Sequence, residues 1–191
     1  MSQENVEILR GVRYRVSLPR ERPRQRRTLE ERLIVRFPAL SHLLADALMR
    51  LPRSRLRRMM IARGIRQAYA AANRRDFERV LVGWDPGSEY RPSADLMPPD
   101  FEAVFHGHDG YLMMWRRQVD AFEDLRFDPE EILDLGDKLL VTAQVRGHGS
   151  GSGVPVTQPV FQLFELRRGL VVGQEDFLDR SEALEAAGLR G

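Results

Sequence analysis

The 191 residues are enough for one domain of ordinary size with an appended segment, and a hydrophobic content of 42% can supply a core. The lack of cysteine excludes disulfides, thiolate nucleophiles and zinc–thiolate sites, and the lack of a long apolar stretch leads us to expect a cytoplasmic protein with no transmembrane segment. The formal net charge of +2 conceals a division, because residues 1–66 hold 17 Arg and 6 acidic residues whereas residues 67–191 hold 13 Arg plus Lys and 22 acidic residues.

The basic region begins with a segment for which the sequence predicts no regular structure. Residues 1–27 show no sustained periodicity, and a charged run within them is interrupted by proline. We therefore expect a mobile basic segment. Thr28 and Glu31 then have the spacing of a capping box ahead of an apolar run, which predicts a helix that ends before Pro38.

Two further helices are predicted in the basic region. Ser41 is expected to cap the second helix, which ends ahead of Pro52, and the third helix extends over residues 54–73. Helical spacing predicts that the second helix buries one face, made of Leu40, Leu43, Leu44, Ala47 and Leu48. The residues of the third helix that are available for burial are Leu56, Met60, Ile65, Ala68, Tyr69 and Ala72.

The arginines of the third helix have two interpretations. A basic amphipathic helix is typical of membrane surfaces, but arginines also solvate a helix that packs on an acidic domain. We favour packing, and so expect residues 28–60 to form a helical extension docked on a domain of residues 61–191. On this interpretation nucleic acid is disfavoured as a partner, and peripheral membrane contact is the less favoured alternative.

The first part of the predicted domain contains short helices and a loop. Asp76 is expected to cap a short helix, a turn follows at residues 85–88, and three prolines predict an irregular loop over residues 92–100. A strand that ends near Phe105 leads through a turn into a longer helix. The apolar residues of that helix recur at helical spacing: Leu112, Trp115, Val119 and Phe122.

Strands dominate the C-terminal third. They are predicted over residues 125–127 and 132–135, the latter forming a hairpin with residues 139–146, and a second hairpin spans residues 154–178. Ser181 is expected to cap a final helix. Helices followed by a meander of strands predict an α+β domain, with helices on one face of an antiparallel sheet.

Short motifs in a fixed order carry a family resemblance. They are AYAAANRRDF at residues 68–77, FHGHDG at residues 105–110 followed by Trp115, and DRSEAL at residues 179–184 after the long strands. In this order and spacing the chain resembles the SnoaL-like branch of the nuclear-transport-factor-2-like superfamily. The resemblance implies a cone-shaped curved antiparallel sheet with helices packed against its concave face around a pocket, and commonly a homodimer.

The resemblance leaves the chemistry open. The family includes polyketide cyclases, ketosteroid isomerases, epoxide hydrolases and dehydratases, and also members with no reaction. Isomerase-like members use a helix tyrosine, a protonated aspartic acid and a strand aspartate as base. The resemblance places Ala68, Gln162 and Arg91 at these positions, with Tyr69 one residue from the tyrosine position. We therefore expect no steroid-isomerase chemistry.

Three residues are candidates for proton transfer. His106 precedes the central turn, where a histidine can act as a general base near neutral pH, although a backbone hydrogen bond or exposure to solvent explains a histidine there as well. Glu175 and Asp176 lie within the strand predicted over residues 171–178, and burial raises the pKa of a carboxyl group.

Ligand contacts are expected from polar and aromatic residues near the pocket. Alternation places Gln162 and Phe164 on one strand face but does not say which face lines the pocket. The pair His106 and His108 has no acidic neighbours suited to a metal, so we expect no metal and no cofactor. The candidate ligand-binding residues are Trp84, Tyr90, Arg91, Trp115, Gln144 and Gln162.

The sequence therefore favours a protein that binds a small apolar molecule in a pocket. The reaction type open to it is general acid/base chemistry of the cyclase, isomerase, dehydratase or hydrolase kind. The alternative is a non-catalytic dimeric scaffold whose basic helical arm binds an anionic partner. A pocket with converging polar groups favours the first hypothesis, and a filled cone favours the second.

Overall fold

The computed structural model describes residues 14–17, 26–52, 54–93 and 104–189. Its helices, in chain order, are α1 (Leu29–Arg36), α2 (Pro38–Arg50), α3 (Arg55–Asn73), α4 (Phe77–Leu81), α5 (Gly107–Ala121) and α6 (Arg180–Ala186). Its strands are β1 (Tyr14–Ser17), β2 (Trp84–Arg91), β3 (Phe105–His106), β4 (Phe122–Asp134), β5 (Lys138–Gly149), β6 (Pro155–Arg167) and β7 (Leu170–Phe177).

The strands form one curved sheet in the order β1-β4-β5-β6-β7-β2-β3. Register shifts in β4 and between Glu165 and Leu166 of β6 bend the strands, because a bulge locally increases twist. The predicted α+β class, the curved sheet and the N-terminal helices are confirmed. The sheet is mixed, however, and not wholly antiparallel as predicted, since β2 pairs with β7 in parallel.

Two apolar clusters lie on opposite faces of the sheet. The inner face, which carries Val141 and Phe164, packs against α3, α4 and α5 in the larger cluster. The outer face carries Leu140 and Leu163, which pack with Leu184 of α6 in the smaller cluster. Because neighbouring strand residues point to opposite faces, β5 and β6 supply both clusters from consecutive positions.

Buried ion pairs connect the N-terminal helices to the sheet and to α4. Arg57 of α3 is 3% exposed and forms a bidentate pair with Asp134 of β4, with both nitrogen–oxygen distances at 3.2 Å. Arg74 binds Glu31 of α1 at 2.7 Å, and Arg27 binds the carboxylate of Asp76, the residue that caps α4. The sequence predicted that the arginines of α3 lie outside the core, so the burial of Arg57 corrects that expectation.

The predicted helix starts are partly confirmed. Thr28 and Glu31 form the expected capping box, and the Asp76 side chain caps α4. Helix α2 begins earlier than predicted, at Pro38, because proline lacks the N–H that would go unsatisfied at a helix start. The hydroxyl of Ser41 consequently does not cap α2 but donates to the carbonyl oxygens of Phe37 and Ile34, which precede the helix. The cap of α6 is Asp179, not the predicted Ser181.

Several predicted strand boundaries differ from the structure. Residues 14–17, expected to belong to a mobile segment, form β1 along the edge of β4. The strands predicted at 125–127 and 132–135 are one bulged strand, β4, and the turn predicted at 85–88 lies inside β2. The rest of the predicted mobile segment and most of the loop at 92–100 lie outside the described residues, apart from Arg26 and Arg27.

Helix α2 contacts the domain through a face other than the predicted one. Leu40, Leu43 and Leu44 are 54%, 65% and 61% exposed, and of the predicted buried set Leu48 alone packs against the core. His42 instead places Nε2 2.7 Å from the carbonyl oxygen of Val82. The prediction of a buried leucine face on α2 is therefore wrong. None of the described helices has the length and hydropathy needed to cross a membrane.

Candidate functional site

A cleft lies between the inner face of the sheet and helices α3, α4 and α5. Its cavity volume is about 60 Å³, which is space for about four water molecules. Its walls are aromatic: the rings of Trp84 and Tyr111 have centroids 4.3 Å apart, and those of Trp115 and Phe127 are 5.4 Å apart. The cleft is therefore small and lined mainly by aromatic rings.

A polar network around Asp176 forms one wall of this chamber. The Asp176 carboxylate, on β7, accepts hydrogen bonds from the Tyr90 hydroxyl at 2.7 Å and from the amide nitrogens of Gln162 and Gln174 at 3.0 and 2.7 Å. The Tyr69 hydroxyl donates to the amide oxygen of Gln162 at 2.5 Å. The network thus links α3, β2, β6 and β7 at the one buried carboxyl group of the cleft.

Local structure explains why these side chains meet. Asp176 pairs with Gln162 across β6 and β7, so both point to the inner face, and Gln174 is two residues from Asp176 on the same face. Tyr69 lies on the buried side of α3. The end of that helix is fixed to β4, because the Asn73 amide exchanges two hydrogen bonds of 2.8 Å with the backbone of Phe127.

Burial controls protonation in the network. Asp176 is 4% exposed, and burial raises the pKa of its carboxyl group despite the three hydrogen bonds that it accepts. Burial raises the pKa of the Tyr69 and Tyr90 hydroxyls well above the usual value, and the nearby Asp176 carboxylate adds to both shifts. The tyrosines are therefore neutral donors, and Asp176 is the group in the cleft that can change charge.

Two further polar atoms lie in side chains of the cleft. The amide oxygen of Gln118 is buried without a hydrogen bond from any described residue, and the buried indole N–H of Trp115 has only the Tyr111 hydroxyl beside it, in poor hydrogen-bond geometry. A buried donor or acceptor without a partner is costly, so such atoms mark places where a ligand or water can bind. The pair offers one donor and one acceptor to a bound molecule.

Five of the predicted site residues line the cleft. Asp176 and Gln162 belong to the polar network, Tyr90 donates to Asp176, and Trp84 and Trp115 are aromatic walls. They meet because β2, β6 and β7 are adjacent in the sheet and α5 covers them.

The other four predicted site residues lie outside the cleft. The His106 side chain is 71% exposed, with Nδ1 3.8 Å from the carboxylate of Glu89. Arg91 is exposed and pairs with the same carboxylate. Glu175 adjoins Asp176 and therefore points to the outer face. Gln144 also points to the outer face, because it is three residues from Val141, which faces inward.

The sequence interpretation missed four polar residues of the cleft. Gln174 was detectable, since it shares a strand face with Asp176. Tyr69 was noted only as one residue from the expected tyrosine position, but its hydroxyl reaches the cleft beside Ala68. Tyr111 and Gln118 gave no distinct signal, because helical spacing alone does not separate a pocket wall from ordinary core. No three metal-ligating side chains converge among the described residues.

The fold and the cleft define a small α+β ligand-binding class, in which helices cover one face of a curved sheet. The chain belongs to the SnoaL-like domain family, whose model matches residues 65–174. The matched region includes α3 from Ile65 onward and most of the cleft, but it excludes α1, α2 and the basic start of α3. The curated proteins contain no match to the chain.

Solved structures share the fold. TerC, crystallised with polyporic acid, is 22% identical with a TM-score of 0.55 over 66% of this chain and 95% of TerC. An NTF2-like protein of unknown function from Burkholderia pseudomallei is 25% identical with a TM-score of 0.54 over 64% and 93%. IdmH from Streptomyces antibioticus, a proposed polyketide cyclase, is 19% identical with a TM-score of 0.54 over 66% and 97%. These similarities identify the fold of the domain.

Proposed function

We propose that the cleft binds a small, mostly apolar organic molecule with one polar end, and that Asp176 exchanges a proton with it. The observation that carries the proposal is a buried carboxyl group, supported by three side-chain donors, in the wall of an otherwise aromatic chamber. The co-crystal of TerC with polyporic acid and the cyclase description of IdmH support an organic ligand, since both proteins share this fold.

Ligand size and polarity follow from the cleft. The free volume corresponds to about four water molecules, so a ligand of about five or six non-hydrogen atoms fits before side chains move. The Trp115 N–H, which has only the Tyr111 hydroxyl beside it, suits a carbonyl oxygen, and the unpartnered Gln118 amide oxygen suits a hydroxyl or N–H group. A small ketone or a hydroxyketone satisfies these requirements.

General base chemistry is the reaction that this arrangement supports best. In the ionised form, Asp176 accepts a proton from the carbon next to a ligand carbonyl; the C–H bond breaks, and its electron pair forms an enolate. We assign the Trp115 N–H, released from the Tyr111 hydroxyl, as the donor to the enolate oxygen, and return of the proton to carbon or oxygen completes the exchange. A raised carboxyl pKa favours this step, because a stronger base accepts the proton more readily.

Proton exchange on a small ketone tests the proposal without knowledge of the natural substrate. Cyclopentanone in deuterium oxide is followed by NMR with and without the protein. We expect loss of the α-proton signal at a rate above that of buffer, and a loss of about a hundredfold or more of this acceleration in Asp176→Asn. The matched control is Glu175→Gln, the adjacent carboxylate on the outer face, which should keep the acceleration.

Two results would contradict the proposal. Equal exchange rates with the wild-type protein and with buffer alone would show that the protein does not transfer a proton from a ketone of this size. Equal acceleration by the wild type and by Asp176→Asn would show that another group accepts the proton. Binding is measured separately by calorimetric titration of cyclopentanone, and here Trp115→Phe should weaken binding because it removes the indole N–H donor while keeping an aromatic wall.

A further inference from the structure

The N-terminal helices expose an apolar patch. Of the twelve large hydrophobic side chains that are exposed in the described part of the chain, ten lie between residues 29 and 60. Soluble monomers seldom expose contiguous apolar surface of this kind without a partner. We define the apolar patch as Leu29, Leu33, Phe37, Leu40, Leu43, Leu44, Leu51, Leu56, Met59 and Met60.

The spacing within each helix places these side chains in stripes. Leu29, Leu33 and Phe37 are four residues apart along α1 and its end, and α2 and α3 repeat the pattern at three- and four-residue intervals. The three helices are tied together: Arg63 and Gln67 of α3 donate to Glu30 of α1, and Arg57 donates to the backbone oxygen of Met49 at the end of α2. The three helices that carry the stripes are therefore joined to one another.

The same helices are strongly basic. Residues 26–66 contain eleven arginines and three acidic residues. Arg32, Arg36 and Arg55 are exposed and contact no carboxylate among the described residues. Each acidic residue already binds an arginine of this chain: Glu30 binds Arg63, Glu31 binds Arg74, and Asp46 binds Arg50. Exposed leucines and uncompensated arginines thus occur on the same helices.

We propose that this apolar and basic patch binds the surface of an anionic membrane. Leucine, phenylalanine and methionine side chains enter the boundary between headgroups and acyl chains, while arginine guanidinium groups contact anionic headgroups. The helices lie on the bilayer and do not cross it, since no described helix is suited to spanning.

Charge decides between a membrane and the other occupants of the patch. A second copy of the chain would bring two equally basic surfaces together, and like charges repel. Residues 1–25 hold six arginines and three acidic residues, so they would not neutralise the patch either. Nucleic acid would suit the arginines, but it offers no apolar partner for ten exposed hydrophobic side chains. An anionic bilayer satisfies both features.

Co-sedimentation with vesicles tests the proposal on the full chain. Vesicles of phosphatidylglycerol mixed with phosphatidylcholine are compared with vesicles of phosphatidylcholine alone. We expect binding to the mixed vesicles that weakens as salt is added. The triple variant Leu40→Gln, Leu43→Gln, Leu44→Gln should bind at least about tenfold more weakly, because exposed leucines contribute to insertion and not to folding. The variant Arg32→Gln, Arg36→Gln, Arg55→Gln should lose about tenfold or more.

Matched controls separate this surface from general hydrophobicity and charge. Val119→Gln, Val154→Gln changes exposed apolar residues outside the patch, and Arg116→Gln, Arg117→Gln changes exposed arginines of α5. Both should bind as wild type does. Absence of vesicle binding, or equal binding by the leucine variant, overturns the proposal. A dimer that the leucine variant converts to monomer, without vesicle binding, assigns the patch to a second copy, and salt-sensitive DNA binding lost only in the arginine variant assigns it to nucleic acid.

Discussion

At the scale of single residues, Asp176 sets the character of the cleft. Its carboxyl group is buried and accepts three hydrogen bonds, two from glutamine amides and one from Tyr90. Burial disfavours the charged form, whereas the donors favour it, and burial prevails because the carboxyl pKa is raised. The charge of the network, and with it the free energy of unfolding, therefore depends on pH.

The raised pKa of Asp176 predicts a pH dependence of stability. A carboxyl group with a higher pKa in the folded state binds its proton more tightly there than in the unfolded chain. The free energy of unfolding should therefore fall as pH rises from about 4, the ordinary carboxyl value, to the raised pKa, by about 1.4 kcal/mol for each unit of the shift. Urea denaturation over this range measures it, and Asp176→Asn should lack this component because asparagine does not titrate.

The exposed Asp137 supplies the control for this measurement. Asp137→Asn should retain the wild-type pH profile, since the side chain is outside the network. In Asp176→Asn the new amide can still accept from Gln162 and Gln174, and the Tyr90 hydroxyl can reverse to accept from it. Parallel pH profiles for wild type and Asp176→Asn would show that this carboxyl group titrates alike in the folded and unfolded chain.

At the scale of elements, α3 carries residues of both the apolar patch and the cleft. Its first half carries Leu56, Met59 and Met60 of the apolar patch, and its second half carries Ala68 and Tyr69 of the cleft. Within its first half the helix is held by one buried arginine. Arg57 donates to Asp134 and to the backbone oxygens of Met49, Leu51 and Gly136, so it fixes the α2–α3 junction against the hairpin between β4 and β5.

Loss of this arginine should destabilise the whole domain. Arg57→Ala leaves the Asp134 carboxylate buried without its cation, and breaking a buried pair in this way costs about 3–5 kcal/mol. Arg55→Ala is the matched control on the same helix and should change stability by less than about 0.5 kcal/mol, because Arg55 is exposed. Urea midpoints of the two variants give the comparison, and equal midpoints would mean that Arg57 does not fasten the helix.

At the scale of the whole molecule, the basic helices and the acidic domain form one connected structure. Ion pairs of Arg27 with Asp76, Arg57 with Asp134 and Arg74 with Glu31 connect residues 1–66 to residues 67–191, so the uneven charge distribution is held within one fold. Residues 28–60 are thereby predicted to support the domain, and not to act as a detachable arm. Removal of residues before about 60 would take Arg57 from Asp134 and Glu31 from Arg74.

Quaternary structure gives a further prediction. The family resemblance implies a homodimer, formed through the outer face of the sheet. On β4 and β5 that face carries half-buried polar residues, among them Asp128, Gln144 and Arg146. They lie beside the area that α6 covers. Light scattering of the full chain should give twice the monomer mass of 22.0 kDa at micromolar concentration. A mass of one chain there would rule out a stable dimer.

The sequence by itself determined the α+β class, the family and most element starts, because capping, turn and periodicity signals are local. It could also tell that Gln162 and Phe164 share a face and that Glu175 and Asp176 do not. Only the tertiary structure decided that Asp176 faces the cleft, that Arg57 is buried, and that the leucines of α2 are exposed. The reason is physical: a period of two or 3.6 residues fixes relative orientation within an element, whereas burial depends on which distant element packs against each face.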